Sequence, residues 1–143
     1  MTRIDFYVLA EGNPESAAVT ATKLCDQAAA QGSKVYVHAP DPAEAENLDG
    51  LLWSLRQGSF LSHERFSGQK TDEPPPCIFF GESEPPATHH EVLINLGNDV
   101  PGFFSRFERV CEIVAGDSAQ RAKSRERYKF YRDRGYELKT HNL

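Results

Sequence analysis

Short runs of β-branched and aromatic residues alternate with longer stretches bearing helix start and stop signals, and this alternation restricts the fold of the 143-residue chain more than any other feature. Ile4 to Leu9 (IDFYVL) reads as a strand, after which Asn13, Pro14 and Glu15 supply a cap, a first-turn proline and an acid for a helix that should end at Gly32. Lys34 to Ala39 (KVYVHA) reads as a second strand, and Asp41, Pro42 and Glu44 cap a second helix running toward Leu55. Short strands joined by helices cannot pair as hairpins. The connections are therefore expected to be right-handed crossovers in a largely parallel sheet, an α/β architecture.

Beyond the second helix the signals thin. Ser62 to Pro76 (SHERFSGQKTDEPPP) and Gly81 to Thr88 read as loops on either side of a brief strand, Cys77 to Phe80. Val92 to Leu96 (VLINL) is the clearest buried strand. Gly97 to Pro101 then reads as a turn and the start of an amphipathic helix with Phe103, Phe107, Val110, Cys111 and Val114 inward, ended by Gly116. Asp117 or Ser118 caps a basic helix that Gly135 closes, and Tyr136 to Leu138 is expected to form a short edge strand. No repeat or internal boundary appears, so residues 1–143 are read as a single domain. A hydrophobic content of 39%, nine prolines and a mean hydropathy of −0.54 imply a modest core with generous loops. No segment has the length and apolarity of a membrane span, and MTRIDFYVLAEG enters a strand pattern without a signal core, so a cytoplasmic location is expected.

An α/β layout raises the possibility of a nucleotide site, but the first strand is followed by AEGNPES, and neither GxGxxG nor GxxxxGK[ST] occurs. There is no GxSxG elbow. The five histidines have no HxxxH helix spacing, and the neighbours His89 and His90 read as surface residues. Cys25, Cys77 and Cys111 lack any CxxC spacing and read as buried structural thiols. No catalytic residue, metal site or cofactor is expected.

Charge is distributed unevenly. Ala119 to Arg134 holds seven of the sixteen basic residues and two of the twenty-one acids, in a chain of net charge −5. If this segment is helical, Arg121, Arg125, Tyr128, Lys129 and Arg132 share a sector roughly 100° wide, at about 100° per residue. Such a face can be plain solvated surface, or it can hold carboxylates on its guanidinium forks with an aromatic wall beside them. The acidic remainder of the chain would repel a long polyanion, so a short acidic partner fits better than a nucleic-acid groove. A second unusual segment, Leu48 to His63, holds Trp53, with Phe60 and Leu61 after a Gly58 turn. Trp53 either plugs one end of the sheet or, with Phe60, forms a compact hot spot for a partner.

Taken together, TRIDFYVL (Thr2 to Leu9), LDGLLW (Leu48 to Trp53), SFLSH (Ser59 to His63), VLINL and above all RERYKFYRDRGYEL (Arg125 to Leu138) resemble the chi subunit family of bacterial DNA polymerase III. The likeness spans nearly the whole chain. It implies a three-layer α/β/α sandwich with a mixed, mostly parallel five-stranded sheet, Rossmann-like without a nucleotide site. It also implies a non-catalytic accessory subunit of the clamp-loader complex that bridges the psi subunit and the acidic C-terminal tail of single-stranded DNA-binding protein. By position, the tail-binding site implied falls on Arg121, Arg125, Tyr128 and Lys129, with Arg132 on the same face and Val114 contributing to an apolar pocket. The implied psi surface falls on Trp53, Phe60 and Leu61, a surface that in some bacteria would also serve a helicase-like partner. Ser62 departs from the family pattern, in which proline commonly precedes the histidine. Contact with nucleic acid would be mainly indirect. The alternative is direct single-stranded nucleic-acid binding, with Tyr128, Phe130 and Tyr131 stacking on bases.

Overall fold

Ser16 Oγ accepts a hydrogen bond from Val19 N at 3.1 Å and so caps the first helix, while the expected cap, Asn13, makes a separate turn by accepting from Glu15 N at 2.9 Å. The computed structural model describes residues 1–54 and 61–143. Its elements in chain order are β1 (Arg3–Val8), α1 (Ala17–Ala30), β2 (Val35–His38), α2 (Pro42–Ser54), β3 (His63–Arg65), β4 (Ile78–Gly81), β5 (Val92–Asn95), β6 (Arg109–Val114), α3 (Ser118–Asp133) and β7 (Glu137–Asn142), with a 3₁₀ turn at Phe104–Arg106 before β6. Asp41 Oδ1 accepts from Glu44 N in the first turn of α2, and Asp117 Oδ1 accepts from Gln120 N in that of α3, both at 2.9 Å. Leu55, where the second helix was expected to end, lies outside the described residues.

The strands form one sheet in the order β3-β4-β2-β5-β6-β1-β7, and every neighbouring pair is parallel. The parallel α/β sheet is as expected, with seven strands, all parallel, in place of the five of a mixed, mostly parallel sheet. One added strand is β3, three residues inside the stretch read as loop. The other is β6, where the sequence pattern was read as a helix. Phe103, Phe107, Val110, Cys111 and Val114 fit a helical stripe, yet a short apolar run satisfies both periods. The run RVCEIV is rich in β-branched residues and lies between β5 and β1, covered on both faces, where strand pairing satisfies its backbone. Gly116 follows β6 because the chain passes close to Ala10: an added Cβ would sit 3.1 Å from the Ala10 carbonyl oxygen.

Alternate side chains of each strand enter two apolar layers. Val35, Val37, Ile78, Phe80, Val92, Ile94, Cys111 and Ile113 pack against α1 and α2. Ile4, Phe6, Tyr36, Phe79, Leu93, Val110 and Val114 form the opposite layer with Phe103, Phe104, Phe107 and Tyr131 of α3. The result is three layers, with α1 and α2 on one face and α3 on the other, as expected. Cys25 and Cys111 are buried free thiols, and burial pushes the Cys111 thiol up to about 12; Cys77 is half-buried. His89 is buried, which corrects its reading as a surface residue. Its Nε2 donates to the Pro76 carbonyl and its Nδ1 accepts from the Thr88 hydroxyl, both at 2.9 Å, and burial lowers its pKa.

Candidate functional site

α3 is held on the sheet by polar groups as well as apolar ones. Glu112 points from β6 into the layer beneath α3, fully buried, and forms a 3.0 Å ion pair with Arg127 Nε. Tyr131 Oη donates to its other oxygen at 2.6 Å, and Asn95 Nδ2 donates to Oε1 at 2.9 Å. Burial pushes the Glu112 carboxyl up, against the pull of Arg127, Tyr131 and Asn95. Arg127 Nη1 also donates to the Asn98 carbonyl at 2.8 Å, tying α3 to the loop after β5. Sequence reasoning missed this network because Arg127 enters it only as one of the seven basic residues of the segment Ala119 to Arg134, with no face or partner assigned. A glutamate inside the apolar run of β6 is the signal that could have revealed it, since a carboxylate there requires a partner.

With Arg127 and Tyr131 turned inward, a flanking sector of α3 carries the residues singled out from the sequence. Arg121 is half-buried; Arg125, Tyr128, Lys129 and Arg132 are exposed. Arg132 is paired with Asp133 at 3.3 Å, and Lys123 with Glu126 at 3.8 Å. Arg134 lies over the Phe130 ring, 3.6 Å from its centroid. Arg121, Arg125 and Lys129 form no ion pair with the described residues, and Arg121 Nε is buried without a hydrogen-bond partner among them. Tyr128, 38% exposed, packs its ring 5.4 Å from that of Phe6 on β1, which places an aromatic wall at the foot of the cations. Val114 is 0% exposed and lies in the core under this face.

The second predicted surface lies on the other side of the sheet. Trp53 is 62% exposed and therefore does not plug the core. Its ring meets the His63 ring edge-on at 4.7 Å; His63 Nε2 lies 3.4 Å from Asp49, and its Nδ1 is 2.8 Å from the Leu61 carbonyl. Leu61 is half-buried against the α1–α2 core. Phe60 lies outside the described residues. Ser62 has a local use: its Oγ accepts from Cys77 N at 2.8 Å, binding the segment to the start of β4.

At the carboxyl ends of the strands, where parallel sheets commonly bind nucleotides, two adjoining cavities of 260 and 340 Å³ are lined by His38, Pro40, Asp41, Glu44 and Asn98 among others, with no lysine or arginine. Such a lining offers phosphate no counter-charge. Among the described residues no cluster of three metal-ligating side chains occurs, and no helix is long and apolar enough to cross a membrane.

The family model for DNA polymerase III chi subunit, HolC, matches residues 1–139. This chain belongs to that family. DNA polymerase III subunit chi of Pseudomonas aeruginosa is 41% identical over 143 residues, covering 100% of this chain and 98% of that protein. The Haemophilus influenzae subunit chi is 30% identical over 138 residues (96% and 95%), and that of Escherichia coli 26% over 144 residues (98% and 97%). A crystal structure of T4 UvsW resembles this chi-family fold with a TM-score of 0.65 at 12% identity, over 99% of this chain and 42% of that one, a likeness of fold alone.

Proposed function

We propose that this member of the chi family is a non-catalytic accessory subunit of a cytoplasmic DNA polymerase III, and that its α3 face binds the acidic C-terminal tail of single-stranded DNA-binding protein. The observation that carries this reading is the set of three cations, Arg121, Arg125 and Lys129, that form no ion pair among the described residues, beside the exposed ring of Tyr128. Cations outside such pairs are available to a partner's carboxylates, and an adjacent ring gives an apolar side chain somewhere to rest. A short peptide with partly exposed contacts should bind with a Kd of order micromolar, about −8 kcal/mol, and more weakly as salt rises. Arg125→Ala should cost about 1–3 kcal/mol, the scale of a charged hydrogen-bond partner. Calorimetry with an aspartate-rich, phenylalanine-ended peptide tests this, and equal affinity of variant and wild type would remove the assignment.

Trp53, with Leu61 and Phe60, is proposed as the surface for the psi subunit, within the clamp-loader complex, or for a helicase-like partner; the exposed indole supports it. The rival reading, direct single-strand binding, loses two of its three stacking groups. Tyr131 is fully buried and Phe130 is covered by Arg134, which leaves Tyr128.

A further inference from the structure

His63 closes the SFLSH run that carries part of the family resemblance, and the surfaces proposed above give it no role. It begins β3, an edge strand paired only with β4, and its side chain is 2% exposed. Asp49 and Trp53, one turn apart on α2, both reach it. The imidazole therefore stands between the exposed indole of Trp53, 4.7 Å away, and the buried ring of Phe80, 6.3 Å away.

Packing alone does not account for an imidazole at this place. Nδ1 lies 2.8 Å from the Leu61 carbonyl, a group that only accepts, so Nδ1 carries a hydrogen and donates it. Nε2 is buried with no hydrogen-bond partner among the described residues, and Asp49 Oδ1 lies 3.4 Å away, a contact that becomes an ion pair when the ring is protonated. A buried ring nitrogen calls for such a neighbour, whereas a hydrocarbon side chain of the same volume would not. Leu61 precedes β3 and Asp49 belongs to α2, so the ring is held from two separate segments. A ring fixed in this way presents a fixed edge to the indole and limits its rotamers. An aromatic side chain ordered in advance loses less freedom when a partner covers it. We infer that His63 is a positioning residue for the Trp53 surface: held by Leu61 and Asp49, it orders the indole before the partner arrives. This rests on Trp53 forming the psi surface and names what readies that surface for binding.

Trp53 is the only tryptophan of the chain, so fluorescence of the intact protein reports on this site alone. The test measures indole anisotropy decay in the free protein and calorimetric affinity for the psi subunit, in wild type, Asp49→Ala, Asp49→Asn and His63→Phe, with Trp53→Ala in the binding arm. Asp49, 49% exposed, can be changed without opening the core. Asp49→Ala removes the neighbour of Nε2, so the indole should move more freely and affinity should fall about fivefold. Asp49→Asn offers an amide N–H to the same nitrogen and should restore both readings, although on helix propensity alone alanine is the better residue. His63→Phe keeps a ring without either polar contact and should behave as Asp49→Ala does. Trp53→Ala should abolish binding. Unchanged indole motion in Asp49→Ala and His63→Phe, an Asp49→Asn protein as loose as Asp49→Ala, or loosening without loss of affinity overturns the inference while the surface stands. Wild-type affinity of Trp53→Ala overturns the surface and the inference with it.

Discussion

Arg127 differs from the other cations of its helix in what surrounds it. It is 2% exposed and faces a carboxylate that is 0% exposed, so each charge depends on the other. Replacing Arg127 by methionine leaves Glu112 buried without a counter-charge and should destabilise the domain by about 3–5 kcal/mol. Replacing both, as Glu112→Leu with Arg127→Met, should cost less than the single change, because the desolvation of both groups is removed together. Tyr131→Phe, which deletes the 2.6 Å hydrogen bond to Glu112, should cost about 1.5–3 kcal/mol. Urea unfolding of the four proteins checks this, and a double variant weaker than the single one would contradict it. The cation positions were legible in the sequence, but the burial of Arg127 and the lack of an ion pair at Arg121, Arg125 and Lys129 among the described residues were not. Spacing assigns a side chain to a helix face and does not say which face the sheet covers.

At the scale of elements, β7 is an edge strand whose attachment to β1 depends on titratable groups. Asp5 of β1 is buried among Arg109 (2.8 Å), His141 of β7 (3.1 Å) and Arg3 (3.6 Å). Tyr7 stacks on the His141 ring at 4.5 Å and is hydrogen-bonded by Arg109. Burial alone would raise the Asp5 pKa, but the hydrogen bonds from Arg109 and His141 and the nearby positive charges outweigh it and hold the carboxyl below its ordinary range. A carboxyl whose pKa is lower folded than unfolded stabilises the fold above its unfolded value, and that contribution is lost as pH falls. Melting temperature should therefore drop below about pH 4, and Asp5→Asn should flatten that part of the profile by losing the stability at neutral pH. An unchanged acid limb in Asp5→Asn would exclude this role. β6 shows what local pattern left undecided: its residues fit a helix or a strand, and the space between β5 and β1 selects the strand.

At the scale of the whole molecule, α3 lies on one face of the sheet, and Trp53 belongs to α2 on the other. Two surfaces on opposite faces suit the proposed bridging role, since a partner on one leaves the other clear. In a gel-shift assay the protein should retard single-stranded DNA further when it is coated with single-stranded DNA-binding protein and should leave bare DNA in place. Arg125→Ala should abolish that extra shift while Trp53→Ala retains it, and retardation of bare DNA would favour direct binding instead. The sequence by itself determined the α/β class, the two N-terminal strand–helix pairs and the helical cluster of cations, because each depends on residues close together in the chain. Only the tertiary structure decided that β6 is a strand, that Arg127 is an internal ion and that Val114 is sealed. Those outcomes depend on burial between segments about a hundred residues apart, such as β1 and β6, and no local pattern carries that information.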